Sequence, residues 1–336
     1  MLGSRGVVGL RMGEKILLGF FIYATLASFV FHLSFRERAS LLVLNLTVGA
    51  VIIALSKAAK EGSNAAFAVL RDWLPAVLIL VAYRESGLFI TPDPTHHLDY
   101  LFIRFDRWLL SSRVVLGPLN AMSPWIQYYL EIAYLFCYPL VPLGIGGLYW
   151  ARAREARTRE VESSGTLTAS SIFRESTTEV AGARRSAFGE KSVDCFWTAV
   201  LGAVLCSYFL FPFFPLTPPR TLFNDLPGPE VQPLLRNINL WVLGKYSVQA
   251  CLFPSGHVAA VIATALAVRK FLPRLGIIFI IVSLSISVAT VYGRYHYTVD
   301  AVAGGLVGVA GFLVAKAIHD RQNLFANRRR NSLNRS

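Results

Sequence analysis

Charge is scarce in this chain, and acid is scarcer than base. Of 336 residues only 16% are charged, and 20 Asp and Glu face 33 Lys and Arg. A soluble surface needs more charge than that. With 54% apolar residues and a mean hydropathy of +0.50, the composition implies an integral membrane protein. Cysteine is also sparse. Cys137, Cys195 and Cys206 fall inside apolar runs and Cys251 in a polar connection, which excludes a disulfide framework or a paired-cysteine metal site. No internal repeat is visible. The first apolar run lacks a small-residue cleavage pattern and is longer than a signal peptide's core, so it reads as a span. The excess of +13 would suit a nucleic-acid binder if it were clustered on a soluble domain. Here it is spread between apolar runs, so no nucleic-acid partner is expected and the excess reads as an orientation signal.

What is present is a series of segments near the ~20 apolar residues that cross a bilayer core about 30 Å thick. Eight are expected: 16–35, 40–56, 65–83, 124–150, 193–214, 255–272, 275–292 and 298–318. The fold class is therefore all-α, a polytopic membrane helix bundle. Arg71 and Asp72 sit awkwardly in the first half of the third span. Residues 98–116 alternate Tyr100, Leu101, Phe105 and Trp108 with Asp99, Arg104, Asp106 and Arg107, the pattern of a helix lying in the interface. An ordinary connecting helix is the plainer alternative. Residues 151–192 mix Arg, Glu, Ser and Thr with almost no aromatics, which predicts a flexible loop, and 320–336 reads as a disordered basic tail. The organisation expected is 1–123 for the first spans and the interfacial helix, 124–150 for the fourth span, 151–192 for a cytoplasmic loop, 193–319 for a second membrane unit, and the tail. With eight spans, 23 of the 33 Lys and Arg lie on the face that holds both termini. That places the termini in the cytoplasm and connections 215–254 and 293–297 outside it.

Those two connections hold the one concentrated set of reactive side chains. His257 and His296 are separated by the length of two spans joined by a short turn, so both reach the same face. His296 and Asp300 share one helical face. Ser255 can cap the helix that begins at Gly256, and the free amides of such a start suit an anion. Arg220 and Arg294 offer guanidinium forks matched to phosphate oxygens. A neutral histidine oriented by a carboxylate can attack phosphorus, while a second histidine protonates the leaving oxygen. His296 with Asp300 fits the first role and His257 the second.

The string 254–257, followed by Arg294, His296 and Asp300, resembles the type 2 phosphatidic acid phosphatase and haloperoxidase superfamily over roughly 215–318. The resemblance implies phosphate binding by Ser255, Gly256 and the arginines, His257 as acid, and His296 with Asp300 as the nucleophilic pair. It makes 193–319 the catalytic domain, with a phospholipid or lipid phosphate as substrate and neither cofactor nor metal. Two positions depart from the family pattern: Phe213 stands where its first motif carries lysine, and Thr290 where its third carries arginine. These departures look more like the branch of inositol phosphorylceramide synthase, which transfers a phospho-headgroup to a lipid alcohol on the non-cytoplasmic face.

Other readings remain open at this level. His257, His296 and Asp300 are a plausible metal-ligand set. Ser255 with a histidine would suit an intramembrane protease, although the arginines would have no task there. A transporter or scaffold with a degenerate phosphate pocket would explain the missing lysine and the charges at Arg71 and Asp72. Glu131, with Gln127 one turn before it, is a further intramembrane ionisable group that reads as helix packing or function. His96 and His97 read as solvated or as contacts to a headgroup. Lys245 is isolated.

Overall fold

The computed structural model describes residues 9–61, 65–90, 97–112, 118, 121–164, 175–223, 233–248 and 250–333. The helices are α1 (Met12–Val30), α2 (Phe35–Glu61), α3 (Ala65–Leu88), α4 (His97–Leu110), α5 (Pro124–Leu135), α6 (Leu140–Ser164), α7 (Glu175–Leu210), the short α8 (Pro219–Leu222), α9 (Pro233–Tyr246), α10 (Gly256–Phe271), α11 (Pro273–Tyr292) and α12 (Thr298–Leu333). Two residues each of β1 (Pro215–Leu216) and β2 (Cys251–Leu252) pair antiparallel. The protein is an all-α polytopic bundle.

The span count differs from the eight expected. Six helices are long and apolar enough to cross a membrane, and a bent pair raises the number to seven. The single span expected over 124–150 is broken by 73° between α5 and α6. Pro139 lies at that break; it has no N–H to donate and disfavours helix at the residue before it. The segment expected over 255–272 forms α10, which has only 16 residues, about 24 Å at 1.5 Å per residue. It is short because Pro273 opens α11 immediately after Leu272. Ten of its residues are buried, packed among α6, α7, α11 and α12, so α10 is the centre of the bundle rather than a lipid-facing rod.

Two expectations of disorder are corrected where the chain is described. The backbone is helical over 151–164 and 175–192, within α6 and α7, and 165–174 lies outside the described residues. Most of the expected tail continues α12 as far as Leu333. Ala, Glu and Arg are strong helix formers even where a segment is too polar to build a core.

Polar contacts fix the two ends of the bundle. At one end, Asp194 of α7 accepts from the free amides of Met12 and Gly13 at 3.2 and 3.0 Å, capping α1. Arg71 is buried against Glu14, with Nη2 at 2.8 Å from Oε2, and Arg11 pairs with Asp72. The charges that sat awkwardly in the third span are thus neutralised, which removes the support they lent to a transporter. At the other end, α4 lies across the connections. Asp99 accepts from Thr217 N at 3.0 Å, and Asp106 from Thr298 N at 3.1 Å. Tyr100, Leu101, Phe105 and Trp108 are exposed, which fits the amphipathic helix expected there.

Candidate active site

The site is assembled where α10 begins and α11 gives way to α12. Ser255 is the N-cap of α10; its hydroxyl accepts from Val258 N at 3.4 Å and its own N–H donates to Asp300 O at 3.2 Å. A Cβ on Gly304 would lie 2.4 Å from Ser255 O, so only glycine lets α12 pack backbone to backbone on the start of α10. That contact brings the two histidine-bearing segments together.

His257 Nδ1 lies 3.4 Å from His296 Nε2, with ring centroids 5.7 Å apart. The other ring nitrogen of His296, Nδ1, is hydrogen-bonded to Asp300 Oδ2. Asp300 is fully buried, and it sets the tautomer of His296 by accepting the Nδ1 proton. Nε2 then carries the lone pair. His257 is flanked by the rings of Tyr134 and Tyr138, at 6.3 and 5.8 Å.

Both histidines open onto a cavity of about 550 Å³, also lined by Arg220 and Gly256. Arg220 makes no ion pair or hydrogen bond among the described residues. Gly256 is needed because a Cβ there would meet the Tyr208 ring at 2.9 Å. The remaining walls are tyrosines and aliphatic side chains, among them Ile79, Leu80 and Val141. Leu80 and Tyr246 are 63% and 55% exposed, so the cavity reaches the lipid-facing surface of the bundle.

Of the expected site residues, Arg220, Gly256, His257 and His296 share the cavity, and Asp300 stands directly behind His296. Ser255 does not line it, since its oxygen is committed to the helix cap. Arg294 is also outside the lining. It has a positive φ of 58°, a conformation that costs a non-glycine residue about 1 kcal/mol, and its guanidinium bonds the carbonyl of Phe223. The turn it makes lets Tyr295 N and His296 N both reach Thr290 O, at 2.9 and 3.1 Å. The structure therefore gives Arg294 an architectural contact at this turn. His96 lies outside the described residues.

Two features escaped the sequence reading. Cys251 of β2 is buried with Sγ 3.3 Å from Asp300 Oδ2 and 3.6 Å from His296 Nδ1. Burial, reinforced by the charge of Asp300, pushes its thiol well above the usual range, so it stays protonated and donates to the carboxylate. The second is a partner set for Glu131. Its carboxylate accepts from Arg236 Nη1 at 3.0 Å, Tyr295 OH at 2.7 Å and Asn239 Nδ2, and Arg236 Nη2 donates to Gly293 O at 3.1 Å. Glu131 thus ties α5 and α9 to the turn before His296. Only the position of Cys251, four residues before the cap, hinted at the first; the second had no local signal.

Residues 186–314 match the family model of the PAP2 superfamily. An 80-residue stretch is 39% identical to a PA-phosphatase related-family protein of Dictyostelium discoideum. That stretch is 22% of this chain and 14% of the relative, so the chain spans only a small part of the relative's length. No solved structure matches. The matched family segment contains Arg220, Gly256, His257, His296 and Asp300.

Proposed function

We propose that the protein is a membrane-embedded lipid-phosphate phosphatase or phosphotransferase working through a phosphohistidine. The observation that carries this reading is the contact of His257 Nδ1 with His296 Nε2 at 3.4 Å, with Asp300 on the far side of His296 and Arg220 facing the same cavity. The PAP2 match over 186–314 and the partial relative named PA-phosphatase related support the reaction class.

The substrate's phosphate meets both rings from the cavity side, and its acyl chains lie along the apolar walls toward Leu80. His296 Nε2 attacks phosphorus, the ester P–O bond breaks, and the electron pair leaves with the alkoxide, which takes a proton from His257. His257, now neutral, removes a proton from the acceptor hydroxyl, whose oxygen attacks phosphorus and releases His296. Arg220 neutralises the charge that grows on the equatorial oxygens. Water as acceptor gives a phosphatase and a lipid alcohol gives a transferase of the inositol phosphorylceramide synthase type. On the eight-span layout expected from the sequence, the excess of Lys and Arg supports an extracytoplasmic cavity.

The test is incubation of purified protein with labelled lipid phosphates and phospholipids, with and without ceramide or diacylglycerol. Free phosphate identifies the phosphatase and a new phosphorylated lipid the transferase. Acid-labile label should be trapped on wild type and absent from His296→Ala; equal labelling of both would sink the mechanism. A second reading is a metal site, favoured by the ligand atoms of Cys251, His296 and Asp300 lying within 4.8 Å of one another. It takes Cys251 in place of the His257 expected from sequence. Turnover that survives exhaustive chelation would remove it.

A further inference from the structure

A second groove lies beside the catalytic cavity, on the lipid-facing side of α2 and α3. It encloses about 650 Å³ and is lined by Leu44, Val77, Leu80, Arg84, Glu85 and Val248, among others. Leu80 and Val248 also line the catalytic cavity, so the two spaces share a wall. Val248 is held there by its N–H donating to Tyr83 OH at 2.8 Å.

The wall is apolar except for two opposite charges. Glu85 is 2% exposed, and neither carboxylate oxygen has a hydrogen-bond partner. Asn45 of α2 stands within hydrogen-bonding reach of it, but its amide N–H groups are engaged elsewhere. Its Nδ2 donates to Phe21 O at 3.2 Å and Thr25 Oγ1 at 2.9 Å, and the Thr25 hydroxyl itself donates to Phe21 O. The amide is thereby fixed, and Asn45 Oδ1 is also left without a donor. Asn45 Oδ1 and both Glu85 oxygens thus lack a hydrogen-bond partner among the described residues, an arrangement native proteins rarely leave unfilled. Arg84 is exposed and has no ion pair or hydrogen bond among the described residues. A cation that is not bonded to the adjacent carboxylate and an acceptor cluster wanting several N–H donors require a ligand carrying both complements.

We propose that this groove binds a zwitterionic membrane lipid of the phosphoethanolamine type, with its primary ammonium on Glu85, its phosphate on Arg84 and an acyl chain along Leu44, Val77 and Leu80. A primary ammonium brings three donors, whereas a quaternary ammonium brings none. An anionic lipid without a cation would leave the carboxylate facing like charge. The proposal is independent of the reaction assigned to the neighbouring cavity.

The test counts lipid bound to the purified full-length protein by native mass spectrometry during titration with matched phosphoethanolamine, phosphocholine and phosphoglycerol lipids. One phosphoethanolamine lipid should bind at least about tenfold more tightly than either of the others, the worth of a charge-assisted hydrogen bond. Glu85→Gln should erase that preference while sparing phosphocholine binding. Arg84→Ala should weaken both zwitterionic lipids. Leu44→Trp, at a surface position, should fill the groove and remove the bound lipid even if the Glu85 variant does not fold. His296→Ala should bind as wild type, and loss there would assign the lipid to the catalytic cavity and overturn the proposal. Equal affinity for phosphoethanolamine and phosphocholine lipids would overturn it by showing that Glu85 holds its own proton. So would a preference that survives Glu85→Gln, or retention unchanged by Leu44→Trp.

Discussion

Helices α3 and α7 each have one end among charged residues and the other beside the cavity, and the two ends use similar side chains differently. At Asp72 and Asp194 every ionisable neighbour has a partner: Arg71 with Glu14, Arg11 with Asp72 and Glu190, Trp197 Nε1 with Asp72 O at 2.8 Å. At Tyr83 and Tyr208 the cavity is faced by Arg220, which has no ion pair or hydrogen bond among the described residues, by His257, and by His296, whose far ring nitrogen is held by Asp300. Intramembrane charge alone therefore does not mark function in this fold. What distinguishes the working end is polar capacity left over after the protein's own bonds are made.

That contrast can be broken at either end. The largest effect is expected from His296→Ala, which should lower turnover by about 10⁴-fold or more without loss of folded protein; a variant within tenfold of wild type would undo the assignment. Next comes Arg71→Met at the paired end. Stranding buried Glu14 should cost about 3–5 kcal/mol, read as a lower unfolding temperature, with turnover per folded molecule unchanged. A drop in turnover at unchanged stability would erase the distinction between the ends. Arg220→Ala should show the reverse pattern, losing about 10²–10³-fold in turnover with little change in unfolding.

Smaller effects test the frame around the site. Burial pushes Asp106 up to about 6 from a usual 3.8, with the charge of Asp300 adding to it and the Thr298 N–H opposing it. The folded state therefore holds this proton more tightly than the unfolded state. Stability should fall as pH rises from about 4 to about 6, by at most about 3 kcal/mol, and Asp106→Asn should flatten that slope in pH-dependent melting. Cys251→Ala removes one donor from Asp300 and should slow turnover about tenfold or less. Cys251→Ser should restore part of it, and an Ala variant as fast as wild type would make the thiol mere filling.

The candidate histidine pair was legible because each histidine sits at a punctuated helix start, Pro254 to Gly256 in one case and Gly293 to Thr298 in the other, and two helices of known rise separate them. Arg220 was legible as a guanidinium in a connection expected on the same face as the histidines. The role of Arg294 was not, since glycine would be expected at the left-handed position and Gly293 stands one residue earlier with φ −72°. The partners of Glu131 come from 105 and 164 residues away, beyond any local pattern. The bend at Pro139 was written in the sequence, but the apolar run on both sides concealed it. The helices over 151–164 and 175–192 were read as loop because low apolar content was weighed above helix propensity.

The two-residue pairing of Pro215 with Leu252 and Leu216 with Cys251 gives the excursion between them a common root. Whatever happens along α9, the chain leaves from and returns to one bracket, and the base of that bracket lies within a few residues of Arg220 on one arm and His257 on the other. Lengthening such an excursion costs only about 0.6 kcal/mol per doubling. Added length is therefore cheap in chain entropy, but exchanging the whole stretch would take with it Arg220 and the Arg236 and Asn239 side chains that anchor Glu131.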